Sequence, residues 1–382
     1  MPVADKVIET NESGRLRMRA KELLTSMKKK EASDLYLKVG LPPSFRIHGD
    51  VIREEGPAVT GDDMETIVND ILNEYQRKRF DERPDLDLAY ALSEGLRYRI
   101  NLFRQQGQIG MVARLVEDED LSFEKLHLPD AVRELAELRR GLVLLTGATG
   151  SGKSTTLAAM VSYINQKFCR HIMTIEDPIE FVHVDGKSVI NQREVGFDTE
   201  SFADALRHVV RQSPDVILIG EMRDTDTMMT AISAAETGHV VLSTLHTVDV
   251  SHTLDRIINY FPDHLKNQVR QELGLSLEGI VCMRLLRRRD REGRIPSTEI
   301  LRATPSVRKA ILEGELWRLK ELMQKGAEVG MHTFNQDLLR LYRDGIVEFD
   351  EALASASNPD EFKLNAQGMF TGTDSLELFQ QR

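Results

Sequence analysis

Cysteine is scarce in this chain. Cys169 and Cys282 are the only two and lie far apart. They form no C-x-x-C pair, so neither a disulfide framework nor a cysteine zinc site is indicated, and a reducing compartment is compatible. Positive charge is outnumbered, with 50 Lys and Arg against 61 Asp and Glu and a formal net charge of −11. That balance argues against a nucleic-acid binder that relies on a global positive field. Long apolar runs are absent, and none approaches the roughly 20 residues that a membrane helix needs. Residues 1–31 are charged throughout and contain no apolar h-region, so no signal peptide is expected. The expectation is a cytoplasmic chain that reaches a membrane only through partners. There is no internal repeat and no low-complexity segment. Tryptophan occurs once, and Trp317 is expected in the core between C-terminal helices.

What remains is an ordinary globular composition, 41% hydrophobic and 29% charged over 382 residues, enough for two or three domains. The most informative stretch is 142–166. Leu142-Val143-Leu144-Leu145 is followed by Gly147-Ala148-Thr149-Gly150-Ser151-Gly152-Lys153-Ser154 and then a helix-like run from Thr155 to Gln166. The eight residues fit G-x-x-x-x-G-K-[ST], the P-loop. Average residue usage yields such a match about once in a hundred chains of this length. Glycines let the backbone turn tightly and aim several N–H groups into one concavity at a helix N-terminus, where an anion is favoured. The candidate nucleotide-binding residues are Thr149, Gly150, Ser151, Gly152, Lys153, Ser154 and Thr155. Lys153 can reach the β- and γ-phosphates, and the Ser154 hydroxyl can ligate Mg²⁺, so the cofactors expected are ATP and Mg²⁺.

Upstream, residues 14–30 read as a helix, Ser33–Val39 and Ser44–His48 as strands, and 61–80 as one helix. Asp85–Leu92, Leu96–Leu102 and Gly110–Val116 alternate as strands. This is a small α+β domain over roughly 31–117. Arg97 and Arg99, two apart on a strand, share a face, and Arg114 lies on the following strand. Glu117-Asp118-Glu119-Asp120 is the linker candidate, and 129–140 is a short helix leading into the P-loop strand.

Downstream, strands alternate with helices, which implies a mainly parallel sheet. The strands are His171–Ile175, Val216–Ile219 and Val240–Thr244. The helices are 201–211, 224–236 with Asp224 as N-cap, and one capped by Ser251 and stopped by Pro262. Ligands of such a sheet belong at the carboxyl ends of its strands, where this reading puts Thr149–Ser154, Glu176–Glu180, Glu221 and His246. Beyond about residue 300 the pattern is helical, with Thr304-Pro305 as N-cap and N1, and 365–382 loses periodicity.

ATP hydrolysis needs a phosphate cradle, a metal, a group that activates water, and positive charge on the γ-phosphate. Glu221 stands in the Walker B position and can hold Mg²⁺ through water. Glu176, Asp177 and Glu180 offer candidate bases. His239 and His246 bracket a strand and can sense the γ-phosphate. No arginine finger is evident near the P-loop, so one is expected from another domain or subunit, with Arg97, Arg99 and Arg114 as candidates.

Longer stretches carry a resemblance: GATGSGKSTT (147–156), TIEDPIEFVH (174–183), QREVGFDT (192–199), DVILIGEMRD (215–224), ETGHVVLSTLHT (236–247), LDRIINYFP (254–262) and GMHTFNQDLLRLY (330–342). Together they resemble the secretion ATPase superfamily, and within it the pilus retraction ATPases of the PilT/PilU family. The resemblance implies an α/β protein with a PAS-like α+β N-terminal domain (1–117), a linker (118–135), and a RecA-like P-loop core (136–300). A helical C-terminal region (301–364) and a tail (365–382) follow. It implies Glu180 as the catalytic glutamate, Glu221 as the Walker B acid, His239 and His246 as the His box, and Arg97, Arg99 and Arg114 as N-domain arginines of the nucleotide site. Arg207 and Arg211 resemble arginines near a subunit interface. It further implies a homo-hexameric ring that hydrolyses ATP to retract a type IV pilus in twitching motility. That ring would act on an inner-membrane platform protein, with a paralogous retraction ATPase as a further partner and no nucleic acid. The alternatives are an extension ATPase of pilus assembly or type II secretion, and a partner-dependent accessory ATPase. Two departures favour an accessory, PilU-like role: Ser306–Glu313 only partly matches the family's AIRNLIRE-like helix, and the tail is long.

Overall fold

The computed structural model describes residues 18–92, 96–116 and 121–369. The expected helix residues 14–17, the acidic run 117–120 and the tail from 370 lie outside them. The chain divides into two compact units at Glu119/Asp120.

The N-terminal unit runs α1 (Ala20–Lys29), β1 (Ala32–Lys38), β2 (Ser44–Ile47), β3 (Asp50–Arg53), α2 (Gly61–Ile71), α3 (Glu74–Glu82), β4 (Asp85–Ala91), β5 (Arg97–Gln105) and β6 (Gln108–Val116). Its antiparallel sheet has the order β3-β2-β1-β6-β5-β4. Leu24 and Met27 of α1, with Met64, Ile67 and Val68 of α2, cover one face of it. The expected single helix over 61–80 is two. Leu72 leaves the helical region, and the Asn73 side chain accepts from the Gln76 N–H to start α3 afresh. Strand β3 escaped the sequence pattern because all four of its residues are exposed and nothing alternates.

The C-terminal unit continues with α4 (Asp130–Glu137), β7 (Gly141–Thr146), α5 (Lys153–Lys167), β8 (His171–Glu176), β9 (Val189–Glu194), α6 (Phe202–Val209), β10 (Val216–Ile219), α7 (Thr225–Glu236) and β11 (Val240–Leu245). Then come α8 (Val250–Asn259), α9 (Asp263–Ser276), β12 (Leu277–Arg287), β13 (Arg294–Arg302), α10 (Pro305–Glu313), α11 (Leu319–Gln324), α12 (Phe334–Arg343), α13 (Phe349–Ala354) and α14 (Pro359–Ala366). The sheet order is β13-β12-β7-β11-β10-β8-β9. All its neighbours are parallel except β12 and β13. Every residue of β7, β10 and β11 is buried, as strands covered by helices on both faces must be.

Several expectations are corrected here. The hairpin β12–β13 occupies a stretch to which no element was assigned, and it extends the sheet beyond the P-loop strand. Phe123, Leu128, Val132 and Leu135 are buried in the core under β7, so 121–135 packs as part of this unit rather than linking to it. Asp249, not Ser251, caps α8 by accepting the His252 N–H. Trp317 is 75% exposed in a short 3-10 turn, whose neighbours Leu316 and Leu319 turn inward instead. Helix α14 runs to Ala366, with Asn365 buried, past the expected start of the tail.

Candidate functional site

The P-loop joins buried β7 to α5 at the carboxyl end of the sheet. Gly150 and Gly152 sit at φ +77° and +96°, left-handed values that side chains rarely adopt. A Cβ at Gly147 would stand 2.5 Å from both the Met283 carbonyl oxygen and Ser151 Oγ. The cradle is therefore built for backbone alone. Lys153 Nζ donates to the carbonyls of Gly147 and Ala148, each at 2.9 Å, and so folds over the loop. Burial lowers the Lys153 ammonium from its ordinary pKa, while Glu180 and Glu221 pull it back up. The Ser151 hydroxyl is buried with no hydrogen-bond partner among the described residues. An ammonium resting on carbonyls beside an unsatisfied hydroxyl is a site prepared for phosphate oxygens.

Neighbouring strand ends bring acids and a histidine to the same place. Thr244 Oγ1 donates to the Gly220 carbonyl at 2.7 Å and fixes the turn after β10. Glu221 follows, mostly buried, paired with Arg223 and 3.6 Å from His246 Nε2. Burial lowers the His246 pKa, and the Lys153 charge lowers it further, so the imidazole is neutral near pH 7. At the end of β8, Glu176 accepts from Thr174 Oγ1 at 2.6 Å and Gln192 Nε2 at 3.1 Å, and burial raises its pKa. The Ile179 N–H donates to the buried Glu194 at 3.2 Å. Glu176 and Glu194 thus brace the loop that carries Glu180, which is exposed. Ser154, the second residue of α5, is half-buried. A hydroxyl, one carboxylate and phosphate oxygens suit Mg²⁺, which keeps several waters and needs no all-protein cage.

His239 does not join this cluster. It precedes β11, at the end away from the P-loop, about 20 Å along the strand from His246. Its Nδ1 contacts the Ala234 carbonyl at 2.9 Å, closing the end of α7. In the N-terminal unit Arg99 and Arg114 stand opposite each other on β5 and β6. Arg114 pairs at 2.8 Å with the buried Asp34, while Arg97 is half-buried and Arg99 exposed. Arg207 pairs with Asp226 at 3.2 Å on the surface. Arg223, Gln192 and Glu194 were assigned no role from sequence. All three lie in stretches quoted for the resemblance, Gln192 and Glu194 in 192–199 and Arg223 in 215–224, and Arg223 lies only two residues past Glu221.

The model of the type II/IV secretion system protein family matches residues 11–318. The chain belongs to that family. Its likeness to family members extends over nearly whole lengths. It is 41% identical over 341 residues to the "Type IV pilus retractation ATPase PilT" of Pseudomonas aeruginosa, covering 89% of this chain and 99% of that protein. It is 40% identical over 365 residues to the "Type IV pilus ATPase PilU" of the same organism, covering 95% and 96%. A crystal structure of the pilus retraction motor PilT with bound ADP superposes with a TM-score of 0.84 at 40% identity, over 90% of this chain and 99% of that one. Within the secretion family the chain is a PilT/PilU-like ATPase.

Proposed function

We propose that this chain is a motor that hydrolyses ATP to retract a type IV pilus. The observation that carries the reading is the full-length likeness to PilT, 41% identical over 99% of that protein. The P-loop cradle supports it. In this reading the backbone N–H groups of 149–155 and Lys153 hold the β- and γ-phosphates, while Ser154 and Glu221 hold Mg²⁺. The metal, when bound, neutralises charge on the phosphate oxygens. Glu180 accepts a proton from the attacking water. Neutral His246 hydrogen-bonds near the γ-phosphate and reports its loss through Glu221. Arg97, Arg99 and Arg114 bring positive charge to the site of a neighbouring subunit in a homo-hexameric ring; for Arg114 this requires leaving Asp34. The N-terminal unit is PAS-like and the C-terminal unit RecA-like. The ring works in the cytoplasm against an inner-membrane platform protein, alone or beside a paralogous retraction ATPase. His239 shapes the end of α7 rather than the chemistry.

An extension ATPase is the second reading. Those motors typically carry a four-cysteine zinc insertion, and this chain has two cysteines. The test is twitching by a bacterium in which this protein is the only retraction ATPase. Restored twitching is expected of a self-sufficient motor. Twitching that returns only when a second retraction ATPase is present assigns the accessory, PilU-like role. Longer pili without retraction would contradict both.

A further inference from the structure

Two charged residues of the β12–β13 hairpin, the buried Glu299 and the half-buried Arg284, stand where the nucleotide site meets the C-terminal helices. Glu299 is 6% exposed. One of its carboxylate oxygens accepts the N–H of Val250, the first residue of α8, at 3.0 Å. The other accepts the N–H of Phe334, the first residue of α12, at 3.3 Å. First-turn N–H groups have no partner inside their own helix, and helix N-termini favour an anion. One carboxylate therefore serves two helices far apart in sequence. Its charge is costly at this depth. Burial raises its pKa, and the two N–H groups with Arg284 act to keep it ionised.

Arg284 faces the same junction. Its guanidinium stacks on the Phe334 ring at 3.8 Å. It donates to the carbonyl of Ser355, to Ser357 Oγ at 3.1 Å and to the Val248 carbonyl at 3.4 Å. Asn335 Oδ1 accepts from the N–H groups of Ser357 and Asn358 at 3.1 and 3.3 Å and completes the junction. The loop His246–Asp249 is thus held at both ends. His246 meets Glu221 at one end, and Val248 and Val250 meet Arg284 and Glu299 at the other.

We propose that Glu299 and Arg284 are positioning residues that fasten the loop 246–249 to the C-terminal helices, so that loop and helices respond together to the γ-phosphate. This rests on the nucleotide-site reading above. The physical basis is that neither N–H can leave the carboxylate without becoming a buried unsatisfied donor, so the loop and the α12 start move as one piece.

The test is amide hydrogen exchange on the full chain with Mg²⁺ and either ADP or the imido analogue of ATP. In the wild type, exchanging ADP for the analogue should alter protection at 246–250 and at 355–358 together. In Arg284→Met the response at 246–250 should persist and that at 355–358 should shrink about fivefold or more. Turnover should fall about tenfold, with the KM for ATP changed less than about twofold. Arg284→Lys should recover part of both. Glu299→Gln keeps the volume but turns an NH2 toward one backbone N–H. It should act in the same direction, and with Ser357→Ala it serves if Arg284→Met does not fold. An unchanged response at 355–358 in these variants, or none in the wild type, overturns the proposal while leaving the nucleotide site intact. Failure of either nucleotide to protect 147–154 in the wild type overturns the nucleotide-site reading and the proposal with it.

Discussion

The seven-stranded sheet has two ends, and they are finished differently. At the end away from the P-loop most polar groups satisfy one another, and the one buried hydroxyl left over among the described residues there, Ser276 Oγ, has no backbone cradle beside it. The His171 N–H donates to Asp215 at 2.8 Å, the Gly141 N–H to the His239 carbonyl at 2.9 Å, and the His239 ring closes α7. At the P-loop end capacity is left over. Lys153 rests on carbonyls, Ser151 Oγ has no partner among the described residues, and Glu221 holds an arginine and a histidine. Both ends carry histidines and acids. Residue type therefore does not mark a site; unused hydrogen-bonding capacity beside a backbone cradle does.

The largest test of that contrast is Lys153→Ala. It removes the ammonium from the phosphate end, and turnover should fall about 10³-fold. Wild-type hydrolysis would break the assignment of this end. Next comes a matched pair of histidines on one strand. His246→Ala should lower turnover about tenfold or more. His239→Ala should leave it within about twofold and cost about 1 kcal/mol of stability for the lost contact to α7. Equal losses in steady-state turnover would erase the distinction between the ends.

A smaller effect concerns the acids that brace the Glu180 loop. Burial raises the pKa of Glu194, and Asp198, Asp177 and Glu176 add to that. Folded Glu194 thus holds its proton more tightly than the unfolded chain does. The associated stability is full below the ordinary glutamate value and is lost as pH rises through the raised folded value. Glu194→Gln should flatten that decline, read by denaturant melts from about pH 4 to pH 7. A steeper decline in the variant would show that the carboxylate is stabilised ionised instead.

Much of the phosphate end was legible because its constraints are local. The glycine spacing, the apolar run of β7 and the caps Asp224 and Thr304 act within a few residues, and the structure realises each. What failed to show depends on pairings distant in sequence. His239 and His246 bracket one strand, and only strand direction separates them. Glu299 and Arg284 lie in an apolar hairpin whose pattern reveals no strand ends, and their hydrogen-bond partners are 35 to 73 residues away in the chain. Trp317 was assigned to the core by residue type, but a 3-10 turn after Gly314 points it outward.

The most direct test of the central claim is ATPase activity per subunit against protein concentration, wild type beside Glu180→Ala. The expected result is activity that rises with concentration as sites are completed between subunits. Glu180→Ala should bind ATP normally and turn over about 10²- to 10⁴-fold more slowly. Full turnover in Glu180→Ala, or no turnover by the wild type at any concentration despite tight ATP binding, would contradict it.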